Sequence, residues 1–330
     1  MADRGGSMIF FDAFKTTFGS ILGLVILGAV GFFIVKRDII SEDGIKGLSD
    51  LVIGLFLPCF MFSSIIQSFN FNMYPDWWLL PLYSVLITFV GYACGAFFLK
   101  FDKSLNKNPG EFLGITAFQN SGYLPLPLVA ALLPLAAAQE MFILIFLFLI
   151  GFNMMIFSFG VMILTPKSKE QRFDYRHMFN APVVATLFAL SLVFFNANTV
   201  LPRFLKDPID ILGRCAIPLS ILVVGGNLAA LRTNRVSDIK PISYSLLVKL
   251  VILPLIFLGF VLIVKPQPLV GLLIILQAAM PPAALLSVIT KNQNQAGRLV
   301  NQAIFYGHIL SILTIPLVLA LYWTLCGKSF

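Results

Sequence analysis

Along this chain, long uninterrupted apolar runs rich in Leu, Ile and Phe alternate with short clusters of charge, proline, glycine and asparagine. Ten runs stand out, at about 16–35, 48–67, 77–99, 111–134, 141–164, 182–201, 210–231, 241–264, 268–290 and 299–326. Each is long enough as a helix to cross a hydrocarbon layer ~30 Å thick. Lipid gives backbone N–H and C=O groups no partner, so a continuous apolar run satisfies them within itself, as a helix. An outer-membrane barrel would show ten-residue segments of alternating polarity, which are absent. The pattern predicts an all-α membrane protein with ten transmembrane helices.

Composition agrees. Of 330 residues, 58% are hydrophobic and 12% charged, against roughly 25% charged in a soluble domain, which excludes a water-soluble globule. The first apolar run is followed by another span rather than a processing site, so it reads as a span and not a signal peptide. Cys59, Cys94, Cys215 and Cys326 lie far apart without metal-ligand spacing. They read as small packing residues, with no metal or cofactor expected. The net charge of +8 lacks the basic face or folded motif of a nucleic-acid binder. It reads instead as loops facing anionic lipid. Fifteen Lys and Arg fall on the side of Lys36, Lys100, the linker 165–181, Arg232 and Lys291, and six on the side of Lys15, Arg203 and Lys265. Because cytoplasmic loops carry the excess, an inner-membrane placement with both termini outside follows.

The two halves repeat. Asp50 precedes Pro58 as Asp210 precedes Pro218, and spans 4 and 9 each carry a Gln followed by small residues and two prolines: Gln119-Asn120-Ser121-Gly122-Tyr123-Leu124-Pro125-Leu126-Pro127, and Gln277-Ala278-Ala279-Met280-Pro281-Pro282. Residues 1–164 and 182–330 form two five-helix repeats joined by the basic linker 165–181. An odd number of spans per repeat inverts the second against the first. Inverted repeats with interrupted helices at matching positions point to a secondary transporter.

Proline lacks the helical N–H and its ring clashes with the preceding turn, so both helices should break in mid-span. Backbone groups freed there must find protein, water or ligand. Gln119, Asn120, Ser121, Gly122 and Pro125, with Gln277, Met280, Pro281 and Pro282, form the candidate substrate site. Exposed amides at the second half-helices are expected to favour an anion. Lys249, inside span 8, has two readings: it neutralises an acidic ligand or holds a polar group of the moving helices, or its stem snorkels to the interface. His308, in span 10, either relays protons or is a neutral ring bonded to a neighbouring helix. Arg214 and Asp210 read as an i,i+4 ion pair, and Asp50 as a capping or pairing residue. Gly19/Gly23 and Gly91/Gly95 have GxxxG spacing for close helix packing. No acidic residue lies beside the proline breaks, so a sodium or proton site built on a buried carboxylate is hard to place.

The run Ser41-Glu42-Asp43 with Leu51–Pro58, then Asn120-Ser-Gly-Tyr-Leu-Pro125, Ala216-Ile-Pro218, Lys249–Pro254 and Ala279-Met-Pro-Pro282-Ala, resembles the auxin efflux carrier family, especially its compact bacterial members. The resemblance implies a fold similar to the bile acid:sodium symporters. In that fold spans 1, 2, 6 and 7 form a scaffold, often a homodimer, and spans 3–5 and 8–10 a transport unit with spans 4 and 9 crossing. It also implies organic-acid cargo, auxin-like or dicarboxylate, and a carboxylate contact from Asn120. The second break has Ala278 and Ala279 where the family carries another Asn. The expected protein is a carrier of small organic anions working by alternating access. Its rivals are a sodium- or proton-coupled symporter and a ligand-binding sensor. An enzyme is not expected, since paired catalytic carboxylates, HExxH and GxSxG are lacking.

Overall fold

The computed structural model describes residues 3–164, 178–231, 239–291 and 297–327. Residues 165–177 of the expected linker lie outside these, as do Arg232, Arg235 and Lys328. In chain order the helices are α1 (Asp3–Lys36), α2 (Glu42–Ser68), α3 (Leu79–Phe101), α4 (Pro109–Ala117), α5 (Pro125–Leu132) and α6 (Leu135–Leu164). They continue with α7 (Ala181–Phe194), α8 (Arg203–Ala230), α9 (Ile239–Val264), α10 (Pro268–Ala279), α11 (Leu285–Lys291) and α12 (Arg298–Cys326). Seven of them, α1, α2, α3, α6, α8, α9 and α12, are long and apolar enough to cross a membrane, which makes this a multi-pass membrane protein.

Helices that are apolar all round belong inside a bundle, and α6 and α10 do. Every residue from Met141 to Phe152 is buried, as is every residue from Gly271 to Ala279. The outward faces of the peripheral helices carry exposed large apolar side chains such as Leu22, Ile26, Phe89, Phe188 and Ile263. Such faces suit hydrocarbon rather than water.

Three prolines inside the long helices deform them, at 58, 218 and 254, whereas Pro208 and Pro316 sit in unbroken helix. Ahead of Pro58, α2 widens into a π turn over Val52–Phe56, and Leu57 N–H bonds back five residues to Val52 O. Ahead of Pro254, α9 does the same over Val248–Ile252. Ahead of Pro218, α8 instead tightens at Cys215, whose N–H reaches Leu212 O. Each adjustment removes the clash between the proline ring and the carbonyl four residues earlier. The turn Ile156–Gly160 of α6 has no proline; there the Ser158 hydroxyl bonds to Met154 O and competes with the backbone ladder.

Close backbone approaches through glycine fall into two groups. A methyl on Gly225 would lie 1.8 Å from Gly28 O, one on Gly31 2.2 Å from Leu222 O, and one on Gly213 2.8 Å from Phe60 Cα. These contacts tie α1, α2 and α8 together. In the second group, a methyl would lie 2.4 Å from Thr116 O at Gly91, 2.4 Å from Ile163 O at Gly110, 2.3 Å from Pro81 O at Gly151 and 2.7 Å from Pro282 Cδ at Gly307. These join α3, α4, α6, α12 and the stretch before α11. Among the described glycines none makes such a contact from one group to the other. Gly91 and Gly95 therefore pack as their spacing predicts, both against Thr116. Gly19 and Gly23 do not: nothing lies within 4 Å of a methyl at either. On α1 the close approach sits two to three turns further on, at Gly28 and Gly31, opposite α8.

This contrast gives a test on one helix. Gly31→Ala should lower stability by about 2 kcal/mol or more through overpacking, read as a fall in the thermal unfolding midpoint in detergent. Gly19→Ala should be neutral or stabilising by up to about 1 kcal/mol, since alanine is the better helix former. Equal effects would contradict the packing of α1 on α8.

Candidate functional site

Helix α4 ends at Phe118, and the chain runs irregularly to Pro125, where α5 begins. Helix α10 likewise ends at Met280, and α11 begins at Leu285. The two irregular stretches lie antiparallel against each other. Gln119 bridges Pro282, Asn120 N–H donates to Pro281 O at 2.8 Å, and Ala283 N–H donates to Phe118 O at 3.1 Å. Each break thus supplies the partners that the other lacks. Pro125 cannot donate to the carbonyl of Ser121, four residues back, and the Gln277 side chain does so instead, its Nε2 at 3.1 Å. Pro281 leaves the Gln277 carbonyl without its helical donor, and Met280 N–H turns to it at 3.4 Å.

The crossing brings the sequence-derived residues together. Gln119, Asn120, Ser121, Gln277, Met280, Pro281 and Pro282 are buried there, with Gly122 beside them and Pro125 at the start of α5. His308 joins them from α12: its Nδ1 lies 2.8 Å from Ile304 O and its Nε2 3.1 Å from Asn120 Nδ2. A carbonyl only accepts, so Nδ1 donates to Ile304 O, and the Nε2 side of the ring meets the Asn120 amide and holds it in place.

Lys249 does not snorkel. The wide turn of α9 aims it inward, it is fully buried, and its Nζ donates to Thr116 O at 3.3 Å, Ala117 O at 3.4 Å and Gln119 Oε1 at 3.2 Å. The Lys249 amine therefore caps the carbonyl end of α4, where the helix dipole is negative. At the other end of α4, Glu111 is buried and its carboxylate accepts the Val300 N–H at 3.2 Å, in the first turn of α12. Sequence reading passed over Glu111 because an acid in the first turn of a helix reads as that helix's own dipole partner. The Arg214–Asp210 pair forms at 2.7 Å, and Ser63 of α2 adds a hydrogen bond to Asp210.

Three polar atoms at the crossing are buried without a partner: Gln119 Nε2, Ser121 Oγ and Gln277 Oε1. A donor, a hydroxyl and an acceptor left dry each cost about 1–3 kcal/mol, so together they mark where water or the polar part of a ligand belongs. The backbone contributes less than the sequence implied. Pro125, Pro127, Pro281 and Pro282 have no N–H, and those of Asn120 and Ala283 are paired across the crossing, so the side chains of Gln119, Ser121 and Gln277 add polarity that these positions of the backbone do not offer. Next to the crossing lies a cavity of about 350 Å³ between α1, α5, α8 and α12. Its walls include Leu24, Phe32, Leu124, Leu128, Ile221, Val224, Phe305 and Ile312, with only His308 and Ser311 polar.

Residues 16–319 match a family described as membrane transport protein. The chain belongs to that family, the auxin efflux carriers. It is 24% identical to Protein PIN-LIKES 1 of Arabidopsis thaliana, over 86% of this chain and 74% of that protein. It is 25% identical to an uncharacterized transporter of Methanothermobacter thermautotrophicus, over 94% of this chain and 98% of that one. Protein PIN-LIKES 3 of Arabidopsis thaliana is 22% identical over 85% of the chain. The crossing and its buried side chains thus belong to a member of a transporter family and lie between residues 118 and 308, well inside the matched region.

Lys249→Met should lower the thermal unfolding midpoint in detergent, by the equivalent of about 2 kcal/mol, because it leaves oxygens at the end of α4 without a donor. An unchanged midpoint would show that the amine does not hold this helix end.

Proposed function

We propose that this protein is a secondary transporter of small organic anions, working by alternating access with the solute held at the crossing of the two broken helices. The observation that carries the reading is the set of unpartnered buried atoms, Gln119 Nε2, Ser121 Oγ and Gln277 Oε1, at a crossing beside a cavity. On this reading the chain has ten spans in two inverted repeats. Helices α4 with α5, and α10 with α11, are the interrupted fourth and ninth spans. Helices α1, α2, α7 and α8 are the scaffold, and the others the transport unit. The two groups of glycine contacts support that division, since among the described glycines the tight approaches fall within each group and none crosses between them. The cavity lies along that divide. An inner-membrane location, termini outside and a homodimer through the scaffold belong to the same proposal, the orientation resting on the basic residues around Lys36, Lys46, Lys100 and Lys107.

The cavity favours one substrate class over the other. A solute with a single carboxylate at Asn120 and Gln119 and an apolar body against Phe32, Leu124 and Ile221 matches walls that are almost entirely apolar. A dicarboxylate would leave its second charge against hydrocarbon side chains. Coupling to sodium is disfavoured by Lys249. Its ammonium already occupies the carbonyl end of a half-helix, which is where discontinuous-helix carriers place a cation. Export of a monoanion from a negative-inside cell gains about 2.3 kcal/mol per 100 mV without any coupling ion.

Two measurements test this. Proteoliposomes loaded with radiolabelled indole-3-acetate should release it faster than malonate, under a membrane potential with sodium absent and the proton gradient collapsed; release only with an ion gradient, or a preference for malonate, refutes the proposal. Asn120→Ala should weaken indole-3-acetate binding by about ten-fold or more, the effect of removing a hydrogen bond to a charged group. Undiminished affinity would remove Asn120 from the site.

A further inference from the structure

Tyr123 stands apart from the rest of the crossing. It lies in the irregular stretch between Gly122 and α5, yet its side chain does not join the buried polar group at Gln119 and Gln277. Its hydroxyl lies 3.0 Å from Ser49 Oγ and 3.4 Å from Ser49 O, in α2. Its ring packs against a small cluster separate from the main core, made of Val35, Ile45, Val52, Val223 and Ala229. Those residues come from α1, α2 and α8, the helices whose glycine contacts interlock, while Tyr123 leads into α5 on the other side of the divide. The cluster sits near the ends of α1 and α2 that carry Lys36, Arg37 and Lys46, the side of the basic loops. The next residue, Leu124, is in the cavity wall. Three residues earlier, Asn120 holds His308.

We infer that Tyr123 is a latch that holds the crossing against α1, α2 and α8 on the basic-loop side, and that its release is required for the site to open there. The inference rests on the carrier reading, in which these two groups of helices move against each other. Its geometry follows from the chain itself. The residues around the crossing are tied to one another by the mutual backbone bonds and by Lys249, so they shift as a unit. Tyr123 is the residue of that unit whose hydroxyl bonds to α2. A shift of the unit by even a few ångströms takes the hydroxyl out of hydrogen-bond range of Ser49 and withdraws the ring from the cluster. With the ring gone, the cluster loses that cover, and Val52, fully buried in it, is expected to become reachable by water. The ring therefore fixes how much of the time the inner approach to the site is shut, without touching the solute.

The test uses the full chain in detergent, with its four cysteines replaced and Val52→Cys as reporter, labelled by a charged, water-soluble thiol reagent. If closed protein predominates, the labelling rate follows the open population. Tyr123→Phe removes only the hydroxyl, and Ser49→Ala only its partner. Tyr123→Phe should speed labelling roughly five-fold, the weight of one net hydrogen bond; Ser49→Ala, which keeps the longer contact to Ser49 O, should speed it by as much or less, and the double variant should match Tyr123→Phe, because without that hydroxyl neither contact exists. Unchanged rates in both single variants would overturn the latch. So would a double variant equal to the product of the singles, which would mean that the two hydroxyls act independently. Indole-3-acetate affinity should be unaltered in Tyr123→Phe; a matching loss of affinity would make Tyr123 a ligand contact instead. Labelling needs no transport, so a faster rate with no efflux in proteoliposomes would sink the carrier reading while leaving the latch standing.

Discussion

A hydrocarbon layer supplies no hydrogen-bond partner, so every break in a membrane helix must be answered from within the protein. This one requirement organises the structure. Prolines at 125, 127, 281 and 282 interrupt two helices, and the resulting gaps face one another. Asn120 N–H is answered by Pro281 O, Phe118 O by Ala283 N–H, and Ser121 O by the Gln277 side chain. The crossing is consequently a fixed element of the fold. Three side-chain atoms beside it, Gln119 Nε2, Ser121 Oγ and Gln277 Oε1, are buried without a partner, and on the proposed reading these are the groups that meet the solute.

The few charges inside the bundle obey the same rule. Burying a lysine away from oxygen is prohibitive. Lys249 is nonetheless fully buried because the open carbonyl end of α4 gives its ammonium three oxygens. Glu111 is buried because the open amide end of α12 gives its carboxylate donors. The half-helix α4 is thus anchored at both ends to α9 and α12, by charges matched to helix dipoles. Anchored this way, α4 is held to both neighbours at once. Across the divide toward α1, α2 and α8, α1 runs along α12 without a tight glycine contact, beside a cavity and hydrogen bonds such as Tyr123 with Ser49 and Ser20 with Ala131 O. Interlocked backbones resist sliding, whereas side-chain packing permits it.

Much of this is legible in the sequence. Run length gave the helices, proline pairs gave the breaks, and the Asp210–Arg214 pair followed from i,i+4 spacing. The errors share a cause. Gly19 and Gly23 have the packing spacing but face open space, because spacing fixes which residues share a face and not what that face meets. Lys249 was readable as an inward or a snorkelling residue because the wide turn that aims it inward depends on Pro254 and on the packing of α9. Glu111 and Tyr123 carried no local signal, since their partners Val300 and Ser49 lie 189 and 74 residues away.

The sequence by itself therefore determined that the chain spans a membrane as helices and where two of them must break, because those follow from apolar run length and from a ring that cannot donate a hydrogen bond. Only the tertiary structure decided which freed groups find each other, which buried charge caps which helix end, and which glycines let backbones touch. Those are pairings between distant segments, and a one-dimensional pattern holds the demand for a partner without holding the partner's address.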